Sequence, residues 1–387
     1  MSITEIGRAT EQETAELVRL RRDFHRHPEL GYQEVRTSGI VATRMRELGY
    51  EVRDGVAKTG VIASRGAGGR TLYVRADMDA LPIVEENDVD YRSTQDGVMH
   101  ACGHDAHTAI AMMVAERFAK ADLAGRISFG FQPAEEGGQG ADRMAEQGGL
   151  DGVDAALGLH VWSSLPVGKI GVTKGPAMAS VDEFVIEVRG FGGHAAVPHL
   201  ADDPIVKAAQ LVTDLQTIVS RRVSPLDAAV VTVTRFDGGS AFNVIPDSVT
   251  LWGTIRTFNE RVREDTHRLL QEITGERGTV SIRRVTRVLV NDARMCEIVR
   301  EAAASVVGPE NVIDSERTMG GEDFATVLAT VPGCFFFVGS ALPQGTFPHH
   351  HPRFDVDERA LPLGLDVMTR AAHLYLERGF RDGAGAA

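Results

Sequence analysis

Over residues 70–161 short, β-rich apolar runs alternate with stretches of helical pattern. A run over 71–75 is followed by a helical pattern over 108–120, a second run over 126–131, a helical stretch over 141–147 and a third run over 155–159. Strands alternating with helices in this way predict an α/β domain with a mainly parallel sheet and helices on its faces. The apolar run 334–338 predicts a further strand that returns to the same sheet. Between about 180 and 291 the order changes to a strand over 183–189, a helix over 204–221, strands over 228–236 and 248–256, a helix over 260–276 and a strand over 279–288. That β-α-β-β-α-β order is the ferredoxin-like pattern, which has a core of its own. It predicts an α+β domain over 180–291, inserted into a first domain made of 1–179 and 292–387.

Length agrees with two domains, since 387 residues exceed one ordinary core. Lys and Arg total 41 against 54 Asp and Glu, and a net charge of -13 repels nucleic acid and anionic membranes. A small-molecule substrate is the expected partner. The first residues form no apolar signal segment and no apolar run approaches a membrane span, so the expected location is the cytoplasm. Three cysteines, odd in number and far apart in sequence, make no disulfide framework. Cys296 and Cys334 read as ordinary buried small side chains.

Open parallel sheets place ligands beyond the carboxyl ends of their strands, and there the sequence is rich in metal-binding side chains. Asp77 and Asp79 follow the 71–75 run, Glu135 and Glu136 follow 126–131, and His160 follows 155–159. The segment MHACGHDAH sets Cys102, His104, Asp105 and His107 at the start of a helix. A lone histidine is more often a satisfied structural residue, and paired glutamates usually form a solvated face. Recurrence at successive strand ends shifts the balance toward a divalent metal, and one thiolate among harder ligands toward zinc or a similar ion. FPHHHPRFD adds His349, His350 or His351 after the last strand, with chemistry alone leaving the choice open. His25 and His27 precede the sheet and read as structural. No G-x-S-x-G elbow or H-E-x-x-H helix is present, which removes the α/β-hydrolase and zincin schemes.

The ordered series HRHPELGYQE, RADMDALP, MHACGHDAH, QPAEEGGQGA, GLHVW, GGHAAVPH, AFNVIPD, GTIRTF, GGEDF and HHPRFDVDE runs from about Asp23 to Leu363. It resembles the aminoacylase and carboxypeptidase family of dinuclear metallohydrolases, in the amidohydrolase branch that contains hippurate hydrolases and indoleacetyl-amino-acid hydrolases. The resemblance implies two divalent ions per subunit, zinc or manganese, held by Cys102, His104, Glu136, His160 and one C-terminal histidine. The family pattern of a ligand histidine, one residue and then proline selects His350. It further implies Glu135 as general base and an inserted lid that also dimerises, giving a homodimer or a dimer-based oligomer. His194 would reach an active site from that lid, across the dimer, and Asn243 and Arg256 would hold a substrate carboxylate. Asp77 is expected to orient a ligand rather than bind metal, while Asp79, Asp105 and His107 stay open. The implied reaction is hydrolysis of N-acyl-L-amino acids. A dipeptidase or carboxypeptidase, and a non-enzymatic metal-stabilised binding protein, are the alternatives, and Glu135 argues against the last because binding needs no base.

Overall fold

The computed structural model describes residues 7–380, so both ends of the expected first domain, 1–6 and 381–387, lie outside the described residues. The chain divides into two compact units, one formed by Met1–Gly175, Val290–Glu316 and Asp323–Ala387, the other by Pro176–Leu289 and Arg317–Glu322. The short return of 317–322 to the second unit was not foreseen from sequence.

In the first unit the strands Arg126–Gln132, Thr71–Asp77, Ala155–Pro166 and Gly333–Ala341 lie side by side in that order, all parallel. Their residues are almost wholly buried, as strands covered on both faces must be, which is why they read as continuous apolar runs. The hairpin Glu51–Val56 and Gly60–Gly66 extends one side antiparallel, and the two-residue strands Ile170–Gly171 and Val312–Ile313 complete the other, making an eight-stranded mixed sheet. The helix His104–Ala119 is buried nearly all round, between the sheet and the helices Glu11–Arg26 and Ala360–Arg378, which explains its lack of a single apolar stripe. The strand carrying His160 runs on to Pro166 because 161–166 keeps pairing with 338–341. His160 therefore lies within a strand and not beyond its end. Cys296 and Cys334 are both buried free thiols with Sγ atoms 3.6 Å apart, a proximity their sequence separation concealed.

The second unit has the strands Ser180–Arg189, Ala229–Gly238, Ser248–Thr257 and Gly278–Thr286 and the helices Pro204–Thr217 and Glu260–Thr274. Its sheet is antiparallel throughout, with Ser248–Thr257 and Ser180–Arg189 central, and this is the ferredoxin-like arrangement. Phe184, Ile186, Leu211, Leu251 and Leu270 fill its separate core. Among the described residues no helix is long and apolar enough to cross a membrane.

Candidate metal centre

Five of the expected residues meet in the first unit. Gly103 makes the turn that allows this: its φ of +95° suits glycine, and a Cβ there would lie 2.4 Å from Val161 Cγ2. The turn starts the helix at His104 and brings Cys102 Sγ to 3.5 Å from His160 Nε2. His350, at the left-handed φ of 67°, donates its backbone N–H to Ala101 O at 2.8 Å, which ties the C-terminal loop to the cysteine segment. Its Nε2 lies 3.1 Å from Glu136 Oε1. Candidate ligand atoms converge in the overlapping sets Cys102–His104–His160, Cys102–Glu136–His350 and His104–Glu135–Glu136, each within 4.8 Å.

The hydrogen bonds decide which atoms can serve a cation. His104 donates Nδ1–H to Asp79 O (2.9 Å) and His160 donates Nδ1–H to Val161 O (2.7 Å), leaving each Nε2 as the lone-pair atom. His104 Nε2 and Glu136 Oε1 are buried and make no well-formed hydrogen bond among the described residues, although Asp77 Oδ2 lies 3.5 Å from the first and His350 Nε2 3.1 Å from the second. Such orphans call for an unseen partner, and a thiol, imidazoles and a carboxylate turned toward one another fit a divalent cation. Among these protein groups alone, burial first and the Glu136 carboxylate second push the Cys102 thiol well above its usual range. A cation reverses that balance, because a coordinating thiol is deprotonated.

The same bonds bear on three residues the sequence left open. His107 donates from Nδ1 to Asp77 Oδ1 (2.6 Å) and accepts Val161 N–H at Nε2 (3.0 Å), so both ring nitrogens are committed. Asp79 accepts Glu135 N–H at Oδ1 (3.0 Å) and Glu136 N–H at Oδ2 (2.9 Å) and is likewise committed. Asp105 is bound by Arg21 Nε and His25 Nδ1, each at 2.8 Å, in a buried network with Glu85 and Asp355. The C-terminal histidines also separate: His349 donates to Val161 O and His351 accepts Arg353 N–H, while His350 faces Glu136.

Asp77 is fully buried between Arg75 Nη1 (2.6 Å) and His107, with His104 Nε2 at 3.5 Å. Burial alone would raise its pKa, but Arg75, His104 and His107 hold the carboxyl well below its ordinary range. Arg75 also bonds Asp323 (2.9 Å), whose backbone N–H donates to Glu135 Oε1 at 3.4 Å. Neither Arg75 nor Asp323 was singled out from sequence, although both stand in quoted motifs. For Arg75 the available signal was a charged residue in a run otherwise fit for burial.

His194, Asn243 and Arg256 lie in the second unit. His194 pairs with Val244 on a two-residue ladder, and Ala195 N–H donates to Asn243 O (3.1 Å), so His194 and Asn243 are neighbours, both exposed. Arg256 is half-buried on the Ser248–Thr257 strand, bonded to Thr254 Oγ1 (3.0 Å) and Met319 O (3.3 Å). Among the described residues it forms no ion pair, and burial lowers its pKa.

The model of peptidase family M20/M25/M40 matches residues 73–374 of the chain. The chain is 42% identical over 358 residues to the N-acetyl-L-cysteine deacetylase of Bacillus subtilis (strain 168), covering 89% of this chain and 85% of that protein. It is 38% identical over 377 residues to the IAA-amino acid hydrolase ILR1-like 4 of Arabidopsis thaliana, with 93% and 86% covered. Among solved structures it is similar to a dinuclear metal-binding peptidase of the M20 family from Bacillus subtilis, at 37% identity and a TM-score of 0.81, covering 95% of this chain and 99% of that one.

Proposed function

From the premise that the chain belongs to peptidase family M20/M25/M40 and is a metal-dependent amidohydrolase, we propose that it hydrolyses N-acyl-L-amino acids to a carboxylic acid and a free amino acid. The observation that carries this reading is Glu135, a carboxylate set within the ligand cluster beside Glu136. Cys102, His104, Glu136, His160 and His350 would hold two divalent ions, zinc or manganese. When bound, such ions polarise the scissile carbonyl and lower the pKa of a water toward about 7.

Glu135 takes the proton of the attacking water and delivers it to the leaving nitrogen, which needs it because an amine anion is a poor leaving group. Asp77, which is itself fixed by His107, lies against the ligand His104 and orients it. His194 stabilises the developing oxyanion, supplied across a dimer by the other subunit. Asn243 and Arg256 hold the substrate carboxylate. Support for that role is the missing ion pair at Arg256, whose half-buried charge an incoming carboxylate would balance. Support for a dimer is the exposed apolar surface of the second unit, where Phe242, Leu226 and Phe191 stand largely in solvent.

The test is a hydrolysis panel of hippurate, N-acetyl-amino acids, their amidated counterparts and dipeptides, with added zinc or manganese. Cleavage of the N-acyl-amino acids, abolished by chelation, is expected. Cleavage of dipeptides alone overturns the acyl reading, and equal cleavage of the amidated compounds overturns carboxylate recognition.

A further inference from the structure

The loop between the strand Arg126–Gln132 and the helix Gly140–Glu146 carries both Glu135 and Glu136, and it is held by its backbone. Ala134 N–H donates to Glu34 Oε1 at 2.9 Å, Glu135 N–H to Asp79 Oδ1 at 3.0 Å and Glu136 N–H to Asp79 Oδ2 at 2.9 Å. Three successive amides thus end on two carboxylates, and both carboxylates are buried. Each is fixed in turn. The Thr59 hydroxyl donates to Glu34 Oε2 at 2.5 Å, and His104 Nδ1 lies 3.3 Å from Asp79 Oδ1 while donating to the Asp79 backbone carbonyl at 2.9 Å.

Ala134 itself has a φ of 52°, a left-handed conformation that a residue with a Cβ adopts only when its surroundings impose it. A Cβ on Gly31 would come within 3.0 Å of the Ala134 Cβ, so the N-terminal segment closes directly over this residue. From that segment the Tyr32 hydroxyl also donates to Gly138 O at 2.6 Å, farther along the loop. Placing two buried carboxylates next to Glu135 and Glu136 adds like charge to an already acidic cluster. Only strong, specific bonds offset that, and amide-to-carboxylate hydrogen bonds are of the charge-assisted kind.

We propose that Glu34 and Asp79 are positioning residues: they clamp the Ala134–Glu136 backbone so that Glu135 is aimed as base and Glu136 as ligand, the roles given to them above. Neither carboxylate touches substrate. Their effect is transmitted through three peptide N–H groups and, for Asp79, also through its 3.3 Å contact with His104, and misplacing a reacting group by about 1 Å is enough to cost on the order of 100-fold in rate.

The test uses the full chain with Asp79→Asn, Glu34→Met and Glu34→Gln. Hydrogen exchange is followed in metal-free protein, over peptides covering 133–140. Manganese affinity is measured by chelator competition, and kcat and KM on the best substrate at saturating manganese. In Asp79→Asn one amide must face an NH2 group, so the 135 and 136 amides exchange faster by about tenfold or more. Manganese then binds roughly 10- to 100-fold more weakly. kcat falls by about 10- to 100-fold while KM stays within about threefold. Glu34→Met frees the Ala134 amide and lowers kcat. Glu34→Gln restores both, since its amide oxygen still accepts from Ala134 and its NH2 can donate to Thr59. Wild-type exchange with kcat within about twofold in Asp79→Asn, or equal impairment of the two Glu34 variants, overturns the proposal. Should Asp79→Asn fail to fold, the Glu34 pair decides. If the wild-type chain cleaves no amide, the reading of its function fails, while exchange and metal affinity still judge the clamp.

Discussion

The two units bury polar groups in different ways. In the first, Arg21, Glu34, Arg75, Asp77, Asp79, His104, Asp105, His107 and His160 are all buried around the carboxyl ends of parallel strands, linked by short hydrogen bonds. That network does not close on itself: Asp105 Oδ1, His104 Nε2 and Glu136 Oε1 make no well-formed hydrogen bond among the described residues, and the last two lie among the facing ligand-type groups. In the second unit the core is apolar around one ionic knot. Asp182 accepts from Arg263 Nε and Nη2 (2.9 and 2.5 Å) and from His267 Nε2 (2.7 Å), so each group finds its partner inside the knot. Unsatisfied atoms on thiol, imidazole and carboxylate groups that face one another leave room for a cation, which a closed ionic knot does not. Of the candidate residues of the second unit, His194 and Asn243 are instead exposed and Arg256 is half-buried. The proposed metal ligands and base thus gather in one unit, and the residues proposed to contact substrate lie in the other.

The largest effect that would break this contrast concerns Glu135. Glu135→Gln should keep its metals yet lose turnover on the order of 100- to 10,000-fold, the weight of a positioned general base. Metal content measured on the purified variant is the check. Loss of an ion would make Glu135 a ligand and leave the cluster without a base.

A smaller effect separates the units by pH. His100 is buried in the first unit with neither ring nitrogen hydrogen-bonded, and burial depresses its pKa to about 4. Unfolded, it titrates near 6.5. Between those values the unfolded chain takes up a proton that the folded chain refuses, so stability falls as pH drops through that window. His100→Asn removes this contribution, and its unfolding free energy should gain on wild type by up to roughly 3 kcal/mol from pH 7 to pH 4. The Asp182 knot behaves otherwise. Burial would raise its carboxyl, but the bonds from His267 and Arg263 win and hold it low. Its stabilisation is therefore present above about 3.9 and lost only below. Denaturant titrations of metal-free wild type and His100→Asn at both pH values measure the difference, and a constant offset would refute the burial account.

What the sequence disclosed follows the same division. The strands of the first unit were legible because continuous apolar runs broken by acidic or histidine residues repeat at each strand end, a local signal. The β-α-β-β-α-β order was equally local, and the antiparallel sheet agrees with it. The clamp was not legible. Glu34 lies 100 residues from Ala134, and its partner is a backbone N–H that carries no letter in the sequence. Chemistry alone left His349, His350 and His351 open for a related reason, and only the family resemblance pointed to His350, since what separates their side chains is what the fold brings beside each. His160 was set beyond its strand because the pairing of 161–166 with 338–341 depends on a segment far along the chain.

The smallest expected signal tests whether the exposed residues of the second unit complete a site in another subunit. Glu135→Gln chains and His194→Ala chains, each nearly inactive alone, are mixed and allowed to exchange. If His194 acts across a dimer, a mixed pair has one site with both changes and one with neither. Random exchange makes about half of the two-fold dimers mixed, and each mixed dimer has one intact site of its two, so about a quarter of wild-type activity returns. If His194 serves its own chain, every site in every dimer carries one change or the other, and no intact site can form. Native mass measurement confirms that exchange has occurred. Activity that stays at the level of the separate variants after that confirmation would refute the shared site and leave the exposed His194 and the neighbouring Asn243 to be explained within one chain.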